Sequence, residues 1–79
     1  MKIQVLFFGA TASAVGNRRF DVSLPPDTTS GMAMDLVQSE YPALKGHKLL
    51  FSINQSYVTG DEIMRDGDEL AIFTAVSGG

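Results

Sequence analysis

Hydrophobic and polar positions alternate from the first residues of the chain. Ile3, Val5 and Phe7 share one parity, with Lys2, Gln4 and Leu6 on the other, and this period of two predicts a half-buried strand ending near Phe8. The following stretch, GATASAVGN at 9–17, is small and turn-rich and reads as a long loop. Phe20, Val22 and Leu24 then alternate with Arg19, Asp21 and Ser23, so the first two strands form a hairpin. Pro25 and Pro26 cannot extend a central strand and end the second one.

The period then changes. Ala33, Leu36, Val37 and Tyr41 fall at helical spacing behind Thr29 or Ser30, either of which can cap free backbone N–H groups, with Met34 flanking the stripe. Pro42 disfavours helical geometry at Tyr41, so one main helix of roughly three turns is expected. Leu49, Phe51 and Ile53 alternate with Lys48, Leu50 and Ser52 as a third strand, which stops at the turn Asn54-Gln55-Ser56. Tyr57 and Val58 make a brief fourth. The run from Thr59 to Glu69 holds five of the nine acids and reads as a solvated surface connection turning at Asp66-Gly67-Asp68. Leu70, Ile72 and Thr74 alternate with Ala71, Phe73 and Ala75 in a last strand. The expectation is an α+β domain: two strands, a helix, two strands and a final strand.

With 79 residues, 44% of them hydrophobic, the chain has material for one core. Folding at this size buries only about 60% of the unfolded surface, too little to also wall off a deep, dry catalytic cavity. A binding or carrier module is therefore favoured over an enzyme. The absence of cysteine removes disulfides, thiolate zinc sites and thiol nucleophiles together. A net charge of -3 repels phosphate backbones, which argues against nucleic acid. The apolar runs at 5–8 and 70–76 fall well short of the roughly 20 residues that span a bilayer, and no signal-peptide pattern opens the chain. A soluble, cytoplasmic protein without a membrane anchor is expected.

Side-chain chemistry is sparse. His47 is the sole histidine and cannot assemble a zinc site without further ligands. The acids from Asp61 to Glu69 lack the spacing of a calcium loop, and no nucleophile motif suggests a hydrolytic triad. No metal site and no catalytic side chain is expected. The tail differs. Ser77, Gly78 and Gly79 follow a well-patterned strand, with no charged side chain after Glu69. A 1–76 domain would then present a terminal carboxylate on a flexible 77–79 stalk thin enough to enter a narrow channel. A carboxylate is inert toward nucleophiles until a partner converts it to an acyl-adenylate, after which it accepts sulfur or an amine.

VLFF at 5–8, INQ at 53–55, DGDELAIF at 66–73 and VSGG at 76–79 together resemble the ubiquitin-like sulfur carriers, in particular the MoaD family of molybdopterin synthase small subunits. The resemblance spans nearly the whole chain and implies a β-grasp fold with a mixed sheet. It implies that Gly79 is adenylated by a MoeB-like enzyme, which uses ATP, and becomes a thiocarboxylate; the carrier itself binds no cofactor. Ser77 and Gly78 would thread the tail into the active site of a MoaE-like large subunit, in a heterotetramer, where sulfur builds the dithiolene of molybdopterin. The sequence departs from the family at Thr74-Ala75, where two prolines are common, and at Thr11 to Ala14, where an Arg-Glu pair is common. The same tail would serve a thiamin-type carrier or a ubiquitin-like protein modifier.

Strand parity bears on docking. If Phe7 and Ile72 point into the core, Phe8 and Phe73 face outward. With Tyr57, at a position resembling an apolar contact residue of the family, they make a candidate partner-binding patch near the tail.

Overall fold

The computed structural model describes residues 1–74 of the chain. Five strands, β1 (Lys2–Phe7), β2 (Arg19–Ser23), β3 (Leu49–Ile53), β4 (Ser56–Tyr57) and β5 (Glu69–Thr74), form one sheet in the order β2-β1-β5-β3-β4. The two central strands, β1 and β5, run parallel, and every other pairing is antiparallel. The main helix, α2 (Ser30–Glu40), supplies Ala33, Met34 and Val37 to the core beneath Ile3, Val5, Phe7, Leu70 and Ile72. This is the mixed-sheet β-grasp arrangement.

The expected strands and main helix are present within a residue or two. Thr29 is the cap of α2, its hydroxyl accepting from the Met32 N–H at 3.2 Å, a bond of about 1 kcal/mol to the helix. Ser30, the other candidate, spends its hydroxyl elsewhere. Met34, flanking the stripe, is buried as well, because the helix packs broadly against the sheet and its neighbours. After Tyr41 the chain continues in a 3-10 helix over Pro42–Gly46, with Leu44 fully buried.

Three expectations need correction. Residues 9–17 do not form a simple loop: Ala10–Val15 is a short helix, α1. Gly9 (φ 57°) swings the chain out of β1 and Gly16 (φ 78°) closes the helix in the left-handed conformation, its N–H donating to the Ala12 carbonyl. The turn after β3 contains two residues, Asn54 and Gln55, both at positive φ, which matches the twist of a tight hairpin. Ser56 belongs to β4, and Val58 lies outside it. The run 59–69 is more than a solvated connection, because Met64 within it is buried and Glu62 is tied into the fold.

That tie explains Gly31, which otherwise weakens the first turn of α2. The Gly31 N–H donates to the Gly60 carbonyl at 2.9 Å, and a Cβ on Gly31 would stand 3.0 Å from that same oxygen. The helix start and the 59–64 segment meet backbone to backbone.

Candidate functional site

Register decides what the sheet presents on each face. Phe7 pairs with Ile72 and Phe51 with Ile72, all turned toward α2, so the alternate residues occupy the opposite, uncovered face. Leu6 pairs with Ala71 and Leu50 with Phe73, while Tyr57 sits opposite Ser52. Phe8, one residue past β1, donates its N–H to the Ile72 carbonyl at 3.0 Å and so continues this row. An apolar patch therefore crosses the outer face at the end where the chain leaves β5.

The three aromatic candidates fall in this patch. Phe8 is 51% exposed and Tyr57 76%, whereas Phe73 is half-buried. Tyr57 and Phe73 pack edge to face with ring centroids 5.9 Å apart, a geometry that fixes Phe73 and leaves the Tyr57 ring facing solvent. Parity alone did not single out Leu50, which is 37% exposed directly across from Phe73. Its signal was present: three apolar residues in a row, Leu49 to Phe51, force the middle one away from the core.

Gly9 and α1 frame the other flank. An open depression of about 910 Å³ lies beside Phe8, with Leu6, Ala12, Ser13, Asn17 and Arg18 around it. Its shape is held by Thr11, which is fully buried. The Thr11 hydroxyl stands 2.7 Å from the Phe8 carbonyl and 2.9 Å from the Ile72 carbonyl, and accepts from the Phe8 N–H at 3.0 Å. One small side chain thus joins α1, the end of β1 and the end of β5.

The DGDE motif acts as a brace rather than a ligand. Asp66 accepts from the Lys2 N–H at 2.7 Å; Asp68 accepts from the Arg65 N–H and from the Asn54 side chain, whose own oxygen takes the Glu69 N–H. The motif locks the β3–β4 turn to the start of β5 and sets the register on which the outer patch depends. Glu62 gathers the Thr59 and Gly60 N–H groups and the Thr59 and Ser30 hydroxyls. The Thr59 N–H leads the interactions that hold its carboxyl down at about 2, against partial burial that would raise it. His47 is exposed at the rim of a separate groove of about 310 Å³. Among the described residues no group of acids and histidine is placed to hold a metal, and no helix is long and apolar enough to cross a membrane. Ser77, Gly78 and Gly79 lie outside the described residues.

Comparison with known proteins places this geometry. The model of the ThiS family matches residues 5–79. The chain is 36% identical to a molybdopterin synthase sulfur carrier subunit of Escherichia coli, over 98% of this chain and 99% of that protein. It is 33% identical to another so described from Mycobacterium tuberculosis, over 100% and 99%. Among solved structures, SAMP1 from Haloferax volcanii superposes with a TM-score of 0.87 at 29% identity, each chain covered in full.

Proposed function

The chain belongs to the ThiS family, and we propose that within it the protein is the sulfur carrier subunit of a molybdopterin synthase. It is a MoaD-like, ubiquitin-like carrier and contributes no catalytic side chain of its own. The observation that supports the reading best is the pairing of an exposed aromatic patch with the end of β5, beyond which five residues run to the last, Gly79. A partner that grips the patch holds the point from which the tail departs.

The chemistry is that of an activated acyl group. A Gly79 carboxylate oxygen attacks the α-phosphorus of ATP held by a MoeB-like enzyme, pyrophosphate leaves, and the acyl-adenylate forms. A sulfide equivalent from a donor then displaces AMP, leaving a thiocarboxylate at Gly79. Docked by Phe8, Tyr57 and Phe73 on a MoaE-like large subunit, with Ser77 and Gly78 in its channel, the carrier gives up that sulfur to a pterin. Two such deliveries supply the dithiolene of molybdopterin. ATP is consumed by the partner, and two carriers on a dimer of large subunits make the heterotetramer.

The likeness to SAMP1, a small archaeal modifier by the description of a second such structure, favours one other use of the same end: an amide bond to a protein lysine. The two curated relatives, at higher identity, weigh toward sulfur transfer. Deletion of Gly79 tests the reading. The deletion shortens the reach by roughly 3.5 Å, and a misplacement of about 1 Å at a reacting centre can cost on the order of a hundredfold in rate. Single-turnover sulfur transfer should fall below detection while the thermal midpoint stays unchanged. Near-normal transfer would overturn the assignment of Gly79.

A further inference from the structure

The outer patch has two halves, held by different means. Phe73 and Tyr57 hold each other, edge to face with centroids 5.9 Å apart, and Phe73 is fixed further by its pairing with Leu50 in the sheet. Phe8 has neither support. It lies one residue past β1, its ring is more than half exposed, and it joins no aromatic pair among the described residues. Gly9, at φ 57°, turns the chain out of the sheet immediately after it. An exposed ring at a strand end has little packing to fix it, so its place depends on what holds its backbone.

Both polar groups of that backbone are held by Thr11. The Phe8 N–H is shared between the Thr11 hydroxyl and the Ile72 carbonyl, at 3.0 Å each. On the carbonyl side the pairing of β1 with β5 has ended, its last partners being Phe7 and Ile72. There the Phe8 carbonyl accepts from the Thr11 N–H at 3.2 Å and stands 2.7 Å from the hydroxyl. The same hydroxyl lies 2.9 Å from the Ile72 carbonyl, one residue before Phe73. Its single proton serves one of the two carbonyls at a time. Thr11 is fully buried, so water does not replace the hydroxyl, and α1 packs against β5 and the 3-10 helix rather than hanging free.

We infer that Thr11 is a positioning residue for docking: its hydroxyl fixes Phe8 against the end of β5, so that Phe8 and the Phe73–Tyr57 pair meet the large subunit as one preformed surface. This rests on the reading that the patch docks there. A preformed ring binds without the ordering cost that a wandering one meets. Loss of the hydroxyl therefore weakens binding even though Thr11, buried beneath the patch, acts only through Phe8.

Two substitutions separate positioning from stability. Thr11→Val keeps the shape and loses the oxygen, whereas Thr11→Ser keeps the oxygen and loses a buried methyl, so both should lower the urea midpoint. Their binding should differ. By titration calorimetry with a purified large subunit, well below the melting range, Thr11→Val should bind about fivefold more weakly than the parent and Thr11→Ser within about twofold of it. In a Phe8→Ala background, Thr11→Val should change binding by less than about twofold, because the ring it positions is gone. Amide exchange reads the same hold without a partner. Relative to the Val5 N–H in the middle of β1, the Phe8 N–H should exchange at least about fivefold faster in Thr11→Val and not in Thr11→Ser. Equal binding by the parent and Thr11→Val, equal losses in the Val and Ser variants, an undiminished loss in the Phe8→Ala background, or an unchanged exchange ratio would overturn the inference. Should Thr11→Val fail to fold, Thr11→Ala carries the same comparison, since it differs from Thr11→Ser only in the oxygen. If the parent chain does not bind the large subunit, it is the docking reading that has failed, and the exchange ratio alone decides whether Thr11 holds Phe8.

Discussion

At the end of the molecule from which the tail departs, a single hydroxyl serves three segments. Thr11 has no solvent exposure, and its oxygen meets the Phe8 carbonyl, the Phe8 N–H and the Ile72 carbonyl. Thr11→Val keeps the shape and removes the polar atom. Because the Ile72 carbonyl still receives the Phe8 N–H and the Phe8 carbonyl the Thr11 N–H, the loss should be about 1 to 2 kcal/mol, read as a lower urea midpoint with an unchanged slope. Phe8 and Tyr57 should behave in the opposite sense. Their rings are more than half exposed, so Phe8→Ala and Tyr57→Ala should each alter stability by under about 1 kcal/mol yet weaken binding to the large subunit at least about tenfold. Titration calorimetry beside thermal melts separates the two effects, and a large stability loss without a binding loss would remove these rings from the docking surface.

Between elements, the join of α2 to the 59–64 segment depends on one carboxylate. The folded-state value for Glu62 is about 2, below its ordinary 4.5, so across that window the unfolded chain binds more protons and stability rises with pH. The Glu62 contribution is complete above 4.5 and drains away as pH falls toward 2. Glu62→Gln should therefore be less stable than the parent at pH 7, with the difference shrinking through that window; a constant difference down to pH 2 would contradict the role. This join was not legible in the sequence, because Ser30, Glu62 and the Gly31–Gly60 approach are brought together only by the tertiary fold. The strands and α2 were legible, since period and proline placement act locally. Residues 10–15 misled for a physical reason. Three alanines favour a helix, but six residues nucleate poorly alone, and α1 is held by the buried Thr11 rather than by its own pattern. The aromatic candidates followed from parity, whereas Leu50 needed the β3–β5 register before it could join them.

Over the whole molecule, the sheet acts as a rigid handle for an end that reacts elsewhere. Parallel pairing of β1 with β5 puts the last strand in the centre of the sheet, so the chain leaves from its best-anchored element with the patch beside it. The DGDE brace holds the far end of that strand. Nothing in such a design requires a deep cavity, and a domain of this size has little material for one. The central claim is that Gly79 carries sulfur as a thiocarboxylate, and intact mass of the full chain addresses it most directly. After incubation with an adenylating enzyme, ATP and a sulfur donor, the chain should gain about 16 mass units, with the gain confined to the peptide ending in Gly79, as oxygen is replaced by sulfur at the activated acyl carbon. An unchanged mass with an enzyme that forms the adenylate, or accumulation of lysine-linked adducts in place of the thiocarboxylate, would contradict it.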